Sequence, residues 1–444
     1  MSTSSLNQNL LNVTFLIVFV LLVVFDLTVY KFIWGIEAIS RIANLFILIL
    51  FTVFSAICIS TMKMPIKIWI FIIFPALLMF FSTFINVSRF AYQDTSIISF
   101  YGTLLPIVSL LSVPFLMKLN VINTEKIYSY YYKAILIIVS ISLIEYSLIF
   151  TGYLTPTLIT TSGGNFLAAN FSILFDLEDN IFNETDFSLN FYAAIIESGT
   201  LAMLILPALI YAIYKKLFIG FLILLLSIFA TNSLGGFMSL AVFALIYPYI
   251  ETRLVQQKPK TGKSIFIFIY ILVLISLSGI VISFLIDYYN TKFLTAGPTT
   301  SEATSGSTRI NNIIMLFSNL PTILIENPIG YTLSTDSNKI LSGSFYGFNI
   351  GLGISIYNGG FLSLLGYVML TLTFVTASIR TLVRKNIDIN KIIASTSLLV
   401  LFPFFVQRGS VFETSILILL TTPFVVEFLK GEDYSVKLNQ KIKT

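Results

Sequence analysis

Arg380-Thr381-Leu382-Val383-Arg384-Lys385-Asn386-Ile387-Asp388-Ile389-Asn390-Lys391 decides how the rest of the chain is read. This run joins two apolar segments of membrane length, 346–372 and 391–407, and carries four basic residues. Lys and Arg concentrate in the cytoplasmic connections of a membrane protein, so such a run fixes the direction of both neighbours. Working outward from it gives twelve membrane-length segments: 10–30, 42–61, 67–87, 97–117, 134–152, 188–212, 217–232, 235–250, 265–286, 346–372, 391–407 and 411–429. With both termini inside, the even-numbered connections and the C-terminal tail hold 19 of the 26 basic residues. The odd-numbered connections hold only Lys31, Arg41, Arg89, Lys292, Arg309, Lys339 and Arg408. The pattern predicts an all-α polytopic membrane protein of about twelve transmembrane helices. One integral membrane domain then covers residues 1–444, with both termini cytoplasmic.

Composition points the same way. Charged residues make up 11% of the chain, against about 25% in soluble proteins, and 57% of residues are hydrophobic. Apolar surface on every helix face suits lipid. The first apolar run lacks a basic leader and a small-residue cleavage site, and reads as a retained span. The net charge of +5 belongs to the inner face, where anionic headgroups would meet it, and gives no reason to expect nucleic acid. Cys58, the single cysteine, lies mid-span and reads as a small buried hydrophobe without an internal disulfide. The chain has no histidine, which excludes a Ser/His/Asp triad, an HExxH zinc site and an imidazole proton shuttle. Thr261-Gly262-Lys263-Ser264 resembles the end of a phosphate-binding loop, but the upstream glycine position is Gln257.

Two outer connections are long, 153–187 and 287–345. The first is an acidic periplasmic loop carrying Asp176, Glu178, Asp179, Glu184 and Asp186. Those carboxylates have the oxygen chemistry of a divalent-cation site, but their spacing reads as a solvated loop, and no metal is expected. The second opens with a Gly/Ser/Thr-rich lid from Gly297 to Thr308. Arg309 follows and starts a run in which Ile310, Ile313, Ile314 and Phe317 recur at helical spacing, which predicts an amphipathic helix at the outer interface. Glu326-Asn327-Pro328-Ile329-Gly330-Tyr331 ends that run in a turn.

These features together resemble the O-antigen polymerase and ligase superfamily, specifically the Wzy-type polymerases. The resemblance rests on Arg309 at the head of the amphipathic stretch, Asn327 to Gly330 after it, and two punctuated runs. One is the re-entry Gly347-Phe348-Asn349-Ile350-Gly351-Leu352-Gly353-Ile354-Ser355-Ile356-Tyr357-Asn358-Gly359-Gly360. The other is the break Thr231-Asn232-Ser233-Leu234-Gly235-Gly236 between two closely paired spans. The histidine that ligases of the superfamily place between Phe345 and Tyr357 is absent, which favours the polymerase. The Ser-Arg-Gly of the paired-span motif is here Ser233-Leu234-Gly235, so no arginine role carries over. The resemblance implies a C-type glycosyltransferase-like fold at the periplasmic face of the bacterial inner (cytoplasmic) membrane. It also implies undecaprenyl-diphosphate-linked oligosaccharides as substrates, with surrounding membrane lipids and a chain-length regulator protein as partners.

The implied reaction assigns roles to residues. A diphosphate leaving group needs fixed cations, and the guanidinium fork binds phosphate oxygens in pairs. Arg309, Arg408 and Arg89 are the candidate diphosphate-binding residues, Arg408 in the tight turn Gln407-Arg408-Gly409-Ser410. Snorkelling to headgroups, or an Arg408–Glu413 ion pair, is the other reading. The acceptor hydroxyl needs a base. The outer-half carboxylates are Asp26, Glu145, Glu197 and Glu413, of which Glu197, inside the sixth span, and Glu413 are the catalytic candidates. An interhelical hydrogen-bond clasp is the alternative for each. Tyr331, Tyr346 and Tyr357 flank the large outer loop and are candidate sugar-stacking residues, with packing as the alternative. No cofactor is required. An O-antigen ligase acting on a lipid A-core acceptor, or a flippase for lipid-linked oligosaccharides, are the rival functions; a flippase should show internal repeats.

Overall fold

Ser-Gly-Thr-Leu-Ala-Met-Leu-Ile-Leu-Pro-Ala-Leu-Ile-Tyr-Ala-Ile-Tyr contains no charged residue, so no face of the helix it forms, Ser198–Tyr214, prefers water. The structure, a computed structural model, describes residues 69–89, 124–153, 157–161, 164–168, 198–231, 233–256, 351–384 and 388–407, with isolated positions 49, 53 and 66. Eight α-helices lie among the described residues. They are α1 (Phe74–Arg89), entered through a π-helical turn at Trp69–Ile73, α2 (Thr124–Phe150), α3 (Ser198–Tyr214), α4 (Phe218–Ala230), α5 (Leu234–Gln256), α6 (Gly351–Val383), α7 (Ile389–Val400) and α8 (Phe402–Gln407). Helix α3 is the axis: residues 201–212 are all buried, enclosed by α2, α4, α5 and α7.

Helix α2 buries one stripe, Tyr128, Tyr131, Tyr132, Ile135, Val139, Ser142 and Glu145, at the spacing of a single helical face. Its tyrosines tie it to α3. The Tyr131 hydroxyl donates to the Leu204 carbonyl at 2.7 Å, next to the Met203 carbonyl that Pro207 deprives of an N–H. Tyr211 stacks near Tyr128 and Tyr132, and Lys215 Nζ pairs with Glu125 Oε1 at 2.7 Å. Helix α3 ends in a Schellman motif, with Leu217 N–H donating to the Ala212 carbonyl and Lys216 N–H to that of Ile213. Lys216 takes the left-handed position, φ 59°, where glycine is usual. A lysine there complements the negative end of the helix dipole.

The second unit is the pair α1 and α6. Ile72, Ile73, Ala76, Met79, Ser82 and Thr83 form one buried stripe, against which α6 sets Gly359, Ser363 and Gly366. A Cβ on Gly366 would stand 2.5 Å from the Pro75 carbonyl oxygen, and one on Gly359 2.5 Å from Ser82 Oγ. Small residues at this spacing let two backbones approach, which is how helices associate where lipid removes the hydrophobic driving force. Helix α6 returns through α7, which packs on both α6 and α3 and joins the two units.

Contacts fix the helix directions. Glu125 with Lys215 makes α2 and α3 antiparallel. Ala202 beside Gly236 and Tyr214 beside Tyr247 make α3 and α5 parallel. Ser82 beside Gly359 and Met79 beside Gly366 make α1 and α6 antiparallel. The lateral surface is apolar, with Leu245 81% and Ile219 75% exposed and Ile137, Ile144 and Leu226 also outward. Among the described residues two helices, Tyr128–Leu148 and Gly359–Val383, are long and apolar enough to cross a membrane.

Several expectations need correction. The 134–152 segment begins at Thr124, the 346–372 segment continues to Val383, and 391–407 is two helices rather than one. The acidic loop opens with an antiparallel hairpin, β1 (Thr157–Thr161) with β2 (Gly164–Ala168), Ile159 opposite Phe166, a local exception among described residues that are otherwise helical, so the all-α class stands. The loop carboxylates 176–186, the lid, the amphipathic stretch from Arg309, and the segments 10–30, 97–117, 265–286 and 411–429 lie outside the described residues.

Candidate functional site

Polar side chains are buried at many points of the apolar bundle, and three of those places bear on a site. The first is Glu145, which is completely buried and continues the inward stripe of α2 beyond Ser142. At about 1.5 Å per residue, Glu145 stands about 25 Å from Tyr128, while the start of α3 stands about 20 Å from Tyr211. Because Tyr128 and Tyr211 stack and the helices are antiparallel, Glu145 lies about one helical turn beyond the first residue of α3, at the end away from Tyr211. A carboxylate at such depth costs about 2.5–3.5 kcal/mol or more in hydrocarbon, so such a group normally faces a partner or a wet cavity.

The second place is the connection between α4 and α5. Thr231 and Ser233 are buried, and Ser233 Oγ accepts from the Gly236 N–H at 3.4 Å, capping α5. Gly236 lets α5 approach Ala202 on the first turns of α3. This break and Glu145 therefore flank the same end of α3, opposite the Lys215–Glu125 pair.

The third is a discontinuity inside α6. Gly359 (φ −152°, ψ 15°) and Gly360 (φ 66°, ψ −149°) leave helical geometry, dividing α6 into two pieces. The conformation of Gly360 is open essentially to glycine alone. Facing the break from α1 is Ser82, which donates to the Leu78 carbonyl at 2.7 Å. Broken helices in membranes place free backbone dipoles at ligand sites.

The chain matches no protein-family model, no characterised protein and no solved structure.

The candidate residues divide accordingly. Glu197, Glu413, Arg309, Arg408, Tyr331 and Tyr346 lie outside the described residues. Glu197 directly precedes the first residue of α3, and Arg408 directly follows the last of α8. Arg89 is the final residue of α1, and Tyr357 belongs to the first piece of α6, just before the break. Thr83 was not singled out from the sequence, although a helical period drawn through Ala76, Met79 and Ser82 would have put it on the inward face. Glu145 stood behind Glu197 and Glu413, and its complete burial raises it. Among the described residues, no three His, Cys, Asp or Glu side chains gather as a metal site would need.

Proposed function

We propose that this chain is an O-antigen polymerase of the bacterial inner membrane, a metal-independent, C-type-like glycosyltransferase with about twelve spans and both termini cytoplasmic. It joins undecaprenyl-diphosphate-linked oligosaccharide repeat units at the periplasmic face. In the transfer, the bond from the donor sugar's C1 to the diphosphate oxygen breaks and a bond from C1 to the acceptor hydroxyl oxygen forms. The acceptor proton passes to a carboxylate, and the polyprenyl diphosphate leaves with the electron pair. Arg309, Arg408 and Arg89 hold the diphosphate by charge-assisted hydrogen bonds. Glu197 or Glu413 accepts the proton, with Glu145 as a third carboxylate of the same half. Tyr331, Tyr346 and Tyr357 offer faces to sugars, and a chain-length regulator protein is the partner.

The observation that carries this reading is the helix break at Gly359–Gly360. It falls at the end of the Gly- and Asn-punctuated run on which the family resemblance rests, and it is a backbone feature that a passive lipid-facing span does not need. The test is complementation of a polymerase-null strain carrying the matching glycan genes, with surface polysaccharide displayed as a gel ladder. Wild type should restore a multi-band ladder, and Arg309→Ala and Arg408→Ala should leave a single attached repeat at normal protein level. Attachment of preformed polymer to its acceptor, or export of unpolymerised units, would replace the reading with a ligase or a flippase.

A further inference from the structure

We infer that the outward faces of α2 and α4 form a docking surface for an anionic phospholipid, with Lys133 and Lys216 on its phosphate and the apolar stripes of the two helices along its acyl chains. The site rests on the membrane reading and is independent of the polymerase reading. On α2, Lys126, Tyr130, Lys133, Ile137 and Ile144 are all exposed. Their spacing of three, four and seven residues puts them on one stripe. The stripe opens with two lysines and a tyrosine and continues with isoleucines, which is the order of interfacial anchors at the head of a span.

Helix α4 supplies the second wall. Phe218 and Ile219 at its start are 69% and 75% exposed, and Leu222, Leu226 and Phe229 continue outward along it. A Cβ on Gly220 would overlap the Tyr132 hydroxyl, so the two helices meet at that level. The same contact brings the two cations to one seam. Lys133 follows Tyr132 in the chain, and Lys216 precedes Gly220 by one helical turn, exposed in the left-handed position of the α3–α4 turn. Lys215 is engaged by Glu125 at 2.7 Å, whereas Lys133 and Lys216 enter no ion pair among the described residues.

Lys133 decides the chemistry of the occupant. It lies within Tyr128–Leu148, which is long and apolar enough to cross a membrane, yet it is on the outward face. An ionised side chain in such a segment ordinarily turns into the bundle toward a partner, or bends to the interface when it lies near a helix end. Bending toward Tyr130 and Lys126 brings the Lys133 ammonium to headgroup level, where a lipid phosphate completes it. A soluble anion would satisfy the lysines but leave the flanking apolar stripes uncovered. A phospholipid meets both, and basic clefts between helices on the cytoplasmic side are where anionic headgroups bind.

The test uses the full chain purified in detergent and offered equal amounts of phosphatidylglycerol and phosphatidylethanolamine with the same acyl chains, the retained lipids being counted by native mass spectrometry. Wild type should retain phosphatidylglycerol preferentially, and added salt should reduce the preference. Lys133→Gln and Lys216→Asn should each lower it about fivefold, and together about 25-fold, the attraction expected of one and two lysines near a charged surface. Asparagine accepts left-handed backbone, so the α3–α4 turn keeps its form. Lys133→Arg should retain the preference, and every variant should elute as wild type does in size exclusion. Equal retention of the two lipids by wild type, or an undiminished preference in the double variant, would overturn the site. Displacement of the lipid by an equal concentration of glycerol phosphate would overturn the lipid assignment in favour of a soluble anion. Recovery of the chain from cells without detergent would overturn the membrane reading on which the site rests.

Discussion

The hydroxyl of Tyr367 donates to the carbonyl oxygen of Phe405 at 2.6 Å, and both residues are almost fully buried. Phe405 lies in the last turn of the short helix α8, where carbonyls have no acceptor role inside the helix. A tyrosine from α6 takes the place of the missing N–H. The bond therefore couples the helix that carries the Gly359–Gly360 break to the segment that leads directly into Arg408.

Tyr367→Phe removes a hydrogen-bond donor from a buried carbonyl. The expected loss is about 1–3 kcal/mol of stability, read as a lower melting temperature in detergent. If the bond also positions the turn at Arg408, the polymer ladder should shorten at protein levels that remain normal.

Gly220 tests the packing of α4 against α2. A Cβ at this position would overlap the Tyr132 hydroxyl, the far end of a side chain rather than backbone. Gly220→Ala should destabilise by about 1–3 kcal/mol, the usual cost of overpacking. Tyr132→Phe removes the obstructing atom, so the double variant should recover part of the loss. A double-mutant cycle in chemical unfolding gives the coupling directly, and strict additivity would show that the two residues do not meet.

Much of this bundle was legible because apolar length and basic connections are strong signals. The segments 217–232 and 235–250 became Phe218–Ala230 and Leu234–Gln256 with only small shifts at most ends. The extension of α6 to Val383 was not legible, because Thr371, Thr376, Ser378, Arg380 and Thr381 lower the apolar character of its second half. Three of those threonines return their hydroxyls to carbonyls one turn back, which lets polar side chains continue a membrane-length helix. The early start of α2 was hidden similarly, since Tyr128, Tyr131 and Tyr132 read as a polar approach but bury against α3. The hairpin did leave a sign, the β-branched run Thr157-Leu158-Ile159-Thr160-Thr161 before Ser162-Gly163-Gly164. The site was read through arginines and carboxylates, and a helix break at Gly359–Gly360 is a backbone feature that residue types alone do not locate.

The Lys215–Glu125 pair at the opposite end sets a pH dependence. The Lys215 hydrogen bond, and then its charge, hold the Glu125 carboxyl below its usual 4.5. A carboxyl lowered in the folded state binds fewer protons there than in the unfolded chain. Its contribution is complete above 4.5 and is lost as pH falls through the lower folded value. Lys215→Met should therefore flatten the fall in melting temperature below about pH 4.5, and added salt should do the same to wild type, because the pair is exposed.

Glu145 separates catalysis from simple packing. Glu145→Gln keeps the volume and the hydrogen-bonding capacity of a completely buried side chain but removes its ability to take a proton. If Glu145 serves the acceptor hydroxyl, polymer formation should fall by about 10²-fold or more, the usual contribution of a positioned base. Folded yield, read by fluorescence-detected size exclusion, should remain near wild type. A clasp between helices predicts the reverse order of effects: Glu145→Gln would retain a full ladder, and only Glu145→Leu, which removes the polar atoms as well, would lower both yield and activity. Running both variants beside Glu197→Gln then assigns the proton acceptor between the two carboxylates. A full ladder from Glu145→Gln with a single repeat from Glu197→Gln would move the base to the residue that precedes α3.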